Sequence, residues 1–103
     1  MVWKRLLLLA LFGTLGAMPS LAQTGTITGR VTEMESGESL PGANIVIVGT
    51  QLGTTSNANG EYTLSNVEPG TYTVRASFVG YRSEVPEDVV VTANETTEVD
   101  FVL

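Results

Sequence analysis

Beyond residue 23, apolar and polar positions alternate with a period of two, the spacing that places successive side chains on opposite faces of a β-strand. The series opens at Thr26 to Thr32, with Ile27, Gly29 and Val31 on one face and Thr28 and Arg30 on the other. Two tyrosine strands carry the pattern most clearly, and each is launched from a glycine step. Asn59-Gly60 precedes Glu61-Tyr62-Thr63-Leu64, and Pro69-Gly70 precedes Thr71-Tyr72-Thr73-Val74, a run that closes at Gly80-Tyr81. Such steps supply the φ a tight turn needs, so Asn59, Gly60, Pro69, Gly70 and Gly80 are read as turn residues. Tyr62 shares a face with Leu64, and Tyr72 with Val74, Ala76 and Phe78. Both tyrosines are therefore predicted to point inward, as core residues, with Tyr81 marking the bend that follows.

The remaining runs complete an all-β pattern. Ala43 to Val48 is almost continuously apolar, as expected of a central strand covered on both faces. Gly53-Thr54-Thr55 is a short, weak strand predicted at a sheet edge. Val89-Val90-Val91 forms another, and Thr97, Val99, Phe101 and Leu103 pattern the last against Glu98 and Asp100. Seven strands at intervals of about ten residues are the signature of a sandwich or small barrel. Helix has little support in this part of the chain.

The first residues have a different character. Lys4-Arg5 precede an apolar run from Leu6 to Met18, and Ser20 and Ala22 stand at the −3 and −1 positions of a cleavage site between Ala22 and Gln23. This is the plan of a secretory signal peptide, a helix over residues 1–22 that precedes one domain over 23–103. The apolar run falls short of the ~20 residues a bilayer-spanning helix needs. No cysteine lies near the cleavage point, which excludes a lipid anchor of the bacterial kind. The mature domain is expected to be exported and not itself inserted in a membrane.

Cleavage would remove two of the five basic residues, leaving Arg30, Arg75 and Arg82 against eleven acidic side chains, a formal charge of −8. Phosphate backbones and anionic lipid surfaces repel such a domain, so nucleic acid is not an expected partner. The acids are spread along the chain and read first as solubility. With no cysteine for disulfides, stability must come from the packing of Val, Ile, Leu, Tyr and Phe.

Chemistry is sparse. There is no histidine and no cysteine in the sequence, which removes Ser-His-Asp and Cys-His arrangements and ordinary zinc sites. Asn57-Ala58-Asn59-Gly60 echoes part of a calcium loop. Aligning Gly60 with loop position six, however, puts Thr55 and Asn66 where carboxylates are required, and a hairpin turn is the better account. Asn94-Glu95-Thr96 fits the glycosylation pattern and is read as the turn before the last strand. No catalytic, metal or cofactor residue is predicted. For a glycan, flat exposed rings are the requirement. Tyr62 and Tyr72 point inward, the pattern assigns Phe78 and Tyr81 to neither core nor surface, and Trp3 lies in the signal segment.

Ile27-Thr28-Gly29-Arg30-Val31, Leu40-Pro41-Gly42-Ala43-Asn44-Ile45, Gly53-Thr54-Thr55, Asn59-Gly60-Glu61-Tyr62 and Pro69-Gly70-Thr71-Tyr72 together resemble the carboxypeptidase regulatory-like domain. The resemblance implies a seven-stranded, transthyretin-like (prealbumin-like) β-sandwich, a class grouped with carbohydrate-binding-like folds. In TonB-dependent outer-membrane receptors, including those of the starch-utilisation-system type, a domain like this follows the signal peptide, ahead of a TonB box, plug and barrel. The expectation is a non-catalytic periplasmic interaction domain of such an uptake system, either a truncated or separately encoded N-terminal piece. The alternative is a stand-alone exported carbohydrate- or ligand-binding module. The implied partner is a protein of the cell envelope, met by packing or by strand addition at Gly53–Thr55 or at residues 97–102, whose solvated edge Glu98 and Asp100 would guard. The expected location is exported, in the periplasm or associated with the outer membrane.

Overall fold

The computed structural model describes residues 23–103. The predicted signal segment and Ala22 of its cleavage site lie outside the described residues. The seven sequence runs supply nine ladder segments: β1 (Gly25–Thr32), β2 (Asn44–Ile47), β3 (Gly53–Thr55), β4 (Glu61–Val67), β5 (Gly70–Tyr72), β6 (Val74–Ser77), β7 (Val89–Val91), β8 (Thr96–Glu98) and β9 (Phe101–Val102). No helix is found among the described residues, and the architecture is an all-β sandwich.

One sheet has β1 at its centre. β4 pairs antiparallel on one side, and β8 and then β9 pair parallel on the other. The second sheet runs β3-β2-β6, and residues 84–86 extend it beyond β6, with Ala76 and Glu84 exchanging both backbone hydrogen bonds and Val74 N–H donating to Pro86. β5 pairs with β7 as a separate ribbon. Between the sheets lies a core of Ile27, Val31, Ile45, Ile47, Tyr62, Leu64, Val67, Val74, Ala76 and Phe101.

Two predicted strands are interrupted, each for a local reason. The long tyrosine strand changes partner at Thr73. Before it β5 pairs with β7, after it β6 pairs with β2, and the Thr73 carbonyl accepts the Val48 amide. The last strand breaks at Val99-Asp100, as described below. β4 also carries a bulge: Ile27 pairs with Leu64 but Gly25 pairs with Val67, and the extra residue is taken up around Asn66 at φ 60°.

Three expectations require correction. β2 is central, but only Ile45 and Ile47 are fully buried; Val46 is half-buried and Val48 is 45% exposed, so the outer face of the strand is largely open. Pro69-Gly70 does not provide a left-handed residue. The positive φ nearest this step belongs to Asn66, at the bulge within β4, and Gly70 enters the ladder in ordinary conformation. Tyr72 is not a core pillar: it is half-buried at the margin of the core, and its hydroxyl donates to the Glu68 carbonyl at 2.6 Å.

Candidate functional site

Among the described residues, a broad concavity lies on the outer face of the β4-β1-β8 sheet. Register dictates who lines it. Thr28 sits between Thr63 and Glu98, and Arg30 opposite Glu61, so the outward alternation of three strands brings these side chains onto one surface. Asp100 completes it on one side, and Thr54 and Thr55 of β3 with Asn57 of the β3–β4 connection form the other wall of a groove of about 710 Å³. Polar groups dominate it. Arg30 and Glu61 form an ion pair at 3.4 Å, each side chain about half exposed (53% and 52%), worth about 0–1 kcal/mol at such exposure.

Beneath this groove the break in the last strand becomes intelligible. In a regular parallel ladder the Val99 carbonyl would accept the Arg30 amide. Instead it turns inward and accepts the Tyr62 hydroxyl, crossing over Gly29, where a Cβ would collide with the Val99 oxygen and lie 2.7 Å from its carbonyl carbon. The Arg30 amide is satisfied by the Asp100 carboxylate at 2.9 Å. A glycine on β1, a tyrosine on β4 and an aspartate in the break between β8 and β9 thus replace one ladder hydrogen bond. Burial, followed by the charges of Asp100 and Glu98, raises the Tyr62 hydroxyl well above the ordinary tyrosine pKa, so it stays a donor at all physiological pH.

The groove's far wall is built by β3 and the β3–β4 connection. Gly60 is at φ 78°, and a Cβ there would lie 2.7 Å from the Val31 carbonyl oxygen. Asn57 accepts the amides of Asn59 and Glu61 at 2.9 and 3.0 Å through its side-chain oxygen, which places the Asn57–Gly60 segment as a capped turn. Ser56, 6% exposed, receives the Ala43 amide at 2.9 Å and donates to the Leu40 carbonyl at 2.6 Å, tying β3 to the loop before β2. Neither Ser56 nor the Val99 rotation carries a sequence signal. Asn57 does, as an Asx residue two before Asn-Gly.

A second, smaller depression of about 420 Å³ lies at one end of the sandwich, between the 33–38 turn and the 78–82 turn. Gly80, at φ 89°, makes that second turn, and Tyr81 N–H donates to Phe78. The Phe78 and Tyr81 rings meet at 5.6 Å, both half-buried, and the Tyr81 hydroxyl donates to Glu33. That bond and one from Ser36 hold the Glu33 carboxyl below its usual range, and the same bond raises Tyr81. Met34 beside it is 71% exposed. Asn94, at φ 62°, lies in the turn before β8, its side-chain amide donating to Gln23 at 3.1 Å. The structure does not bring Tyr62, Tyr72 and Tyr81 together: the first is beneath the polar groove, the others lie at separate margins.

A two-sheet, all-β sandwich with a polar outer groove and a tyrosine-pinned centre is the class that these features define. The model of the carboxypeptidase regulatory-like domain matches residues 26–103, and the chain belongs to that family. Over 43 residues, 42% of this chain, it is 46% identical to TonB-dependent receptor P3 of Formosa agariphila, and spans 4% of that receptor's length. Among solved structures it is similar to a chain of the type II cohesin–X-dockerin complex of Acetivibrio cellulolyticus (TM-score 0.66, 23% identity, 76% of this chain and 56% of that one). It is also similar to the Bacillus anthracis TIE protein (TM-score 0.60, 18% identity, 78% of this chain and 16% of that one). At these identities the structural likeness is one of fold.

Proposed function

We propose that the chain is a non-catalytic interaction domain of a TonB-dependent uptake system, working on the periplasmic side of the outer membrane through contact with another envelope protein. The observation that carries this reading is the 46% identity over 43 residues to a TonB-dependent receptor, set within a family match that runs from Thr26 to Leu103. The electrostatics are compatible with it: an acidic face does not favour anionic lipid or nucleic acid. The acids that line the groove also have structural work. Glu61 pairs with Arg30 and Asp100 caps the Arg30 amide. The route to this location is the signal segment over residues 1–22, with Gln23 as the mature N-terminus.

The test is fractionation. The full chain, tagged at its C-terminus and produced in a bacterium with two membranes and a TonB system, is expected in the periplasmic or outer-membrane fraction with Gln23 as its first residue, and to cross-link to a TonB-dependent receptor component. Recovery from the cytoplasm with the N-terminus intact would overturn the reading.

A further inference from the structure

The two flanks of the sandwich are treated very differently. On the β8–β9 flank the backbone is already occupied or withdrawn. Glu84 accepts the Val102 amide at 2.7 Å through its side chain, the Val99 carbonyl is turned into the core, and the Thr97 hydroxyl reaches the Val90 carbonyl at 2.8 Å. Glu98 and Asp100 add charge along it. These are the devices by which proteins disarm an edge strand.

On the opposite flank β4 is guarded at its ends, by Glu61 with its backbone bonded to Asn57 and by the bulge at Asn66, but β3 has none of these devices except shortness. From Thr50 to Gly60 there is no charged residue and no proline. Alternation fixes which backbone groups are free. The amide of Ser56 and the carbonyl of Leu52 bond to the β2 side, so the groups of Gly53 and Thr55 point away from the sheet. In β4, Gly60 bonds toward β1 at Val31, which leaves the amide and carbonyl of Thr63 pointing to the same open side. Thr55 and Thr63 line the same groove, and its charged residues are Glu61, Glu98 and Asp100 against Arg30. Arg30 is already spent on Glu61.

We infer that the groove between β3 and β4 accepts an extended, basic peptide segment of the partner protein. Its backbone hydrogen-bonds to the outward groups of Gly53 and Thr55 on the β3 edge and passes close to Thr63, and its Lys or Arg side chains lie toward Glu98 and Asp100. The inference rests on the reading of this chain as an interaction domain and assigns that contact to one edge and one chemistry. Open edges recruit extended segments through main-chain bonds, and the carboxylates select the sign of the segment.

The test uses 15N-labelled protein, produced as the full chain, titrated with a short blocked peptide alternating lysine and valine, and with the same peptide carrying glutamate in place of lysine. Expected is a saturable shift of the Gly53, Thr55 and Thr63 amides with the lysine peptide alone, weakened by salt. Glu98→Lys should weaken it about tenfold, the size of effect that one charge contact of ~1.4 kcal/mol produces. N-methylation of the alternate peptide amides, which leaves the protein untouched, should abolish it. Absence of saturable shifts, equal binding of the glutamate peptide, or shifts centred on Val102 or on the Phe78–Tyr81 depression would each overturn the proposal. Because this readout is independent of cellular location, its failure is distinct from that of the uptake-system reading.

Discussion

The Tyr62 hydroxyl donates to the carbonyl oxygen of Val99, reaching from β4 across the central strand at Gly29 to the break between β8 and β9. This bond holds the parallel edge in two pieces and makes three residues interdependent. Tyr62→Phe leaves a carbonyl turned toward the core without its donor and is expected to cost about 1–3 kcal/mol. Gly29→Ala puts a Cβ into the Val99 peptide and should cost more than about 3 kcal/mol, a large share of a small domain's stability. Urea midpoints compare them; a Gly29→Ala midpoint equal to that of the native chain would refute the arrangement.

Asp100 is expected to matter through its acceptor oxygen. Asp100→Ala strips the Arg30 amide of its partner and should cost about 1–2 kcal/mol, while Asp100→Asn keeps an acceptor and should cost less. Amide exchange at Arg30 reads the effect locally: protection should fall in the alanine variant and largely survive in the asparagine variant.

The two glycine launches should respond in opposite ways to alanine. Gly60 combines a left-handed φ with close contacts to Val31 and Ser39, and Gly60→Ala is expected to lose about 2 kcal/mol or more. Gly70 has room for a methyl group at 3.5 Å from the Tyr72 ring and no positive φ, so Gly70→Ala should be neutral or stabilise by up to about 1 kcal/mol. Thermal midpoints of the pair settle the contrast.

Ser56 is the buried polar residue among the described residues, and Ser56→Ala orphans the Ala43 amide and the Leu40 carbonyl together. A loss of about 2 kcal/mol is expected by urea titration.

The Tyr81–Glu33 bond gives stability a dependence on pH at both ends. The Glu33 carboxyl is depressed in the folded state, so its contribution is present above the ordinary carboxylate pKa and disappears as pH falls through the folded value. Tyr81 is raised, so its contribution is present below the ordinary tyrosine pKa and disappears as pH rises beyond it. Melting temperatures followed across pH should flatten at the acid end in Glu33→Gln and at the alkaline end in Tyr81→Phe. Unchanged slopes in both variants would show that the bond does not form in solution.

How much of this could be read in advance depends on the range of the cause. Strand runs were legible because alternation is a local consequence of burying one face, and Ile27, Val31, Leu64, Val74, Ala76 and Phe101 fall on the faces it assigns. The left-handed φ of Gly60 was legible because Asn-Gly carries its own backbone preference, but the hairpin expected there does not form: β3 pairs with β2 and β4 with β1, so the turn crosses between sheets. What escaped depends on partners far along the chain. Nothing near Thr73 reports that β5 and β6 serve different neighbours, and nothing near Val99 reports a tyrosine 37 residues away. Asn66 displaced Gly70 as the left-handed residue because a bulge opposite β1 needed one earlier, and asparagine tolerates that conformation. Tyr72 followed the alternation but stands where the ribbon leaves the core, so the rule gave its direction and not its depth. In the groove, Thr28, Arg30, Glu61, Thr63 and Glu98 look like ordinary solvated positions one strand at a time, and only register gathers them.

Placing β1 between β4 and β8–β9 also has a kinetic consequence. The strand that leaves the ribosome before the others finds its parallel neighbour 70 positions later, at Asp100 and the ladder around it. Closing so distant a pairing carries a large loop-entropy cost and slows folding, so no N-terminal portion of the domain can assemble its central sheet ahead of the rest. The domain must wait for its last strand, with one long flank of β1 unpaired until then.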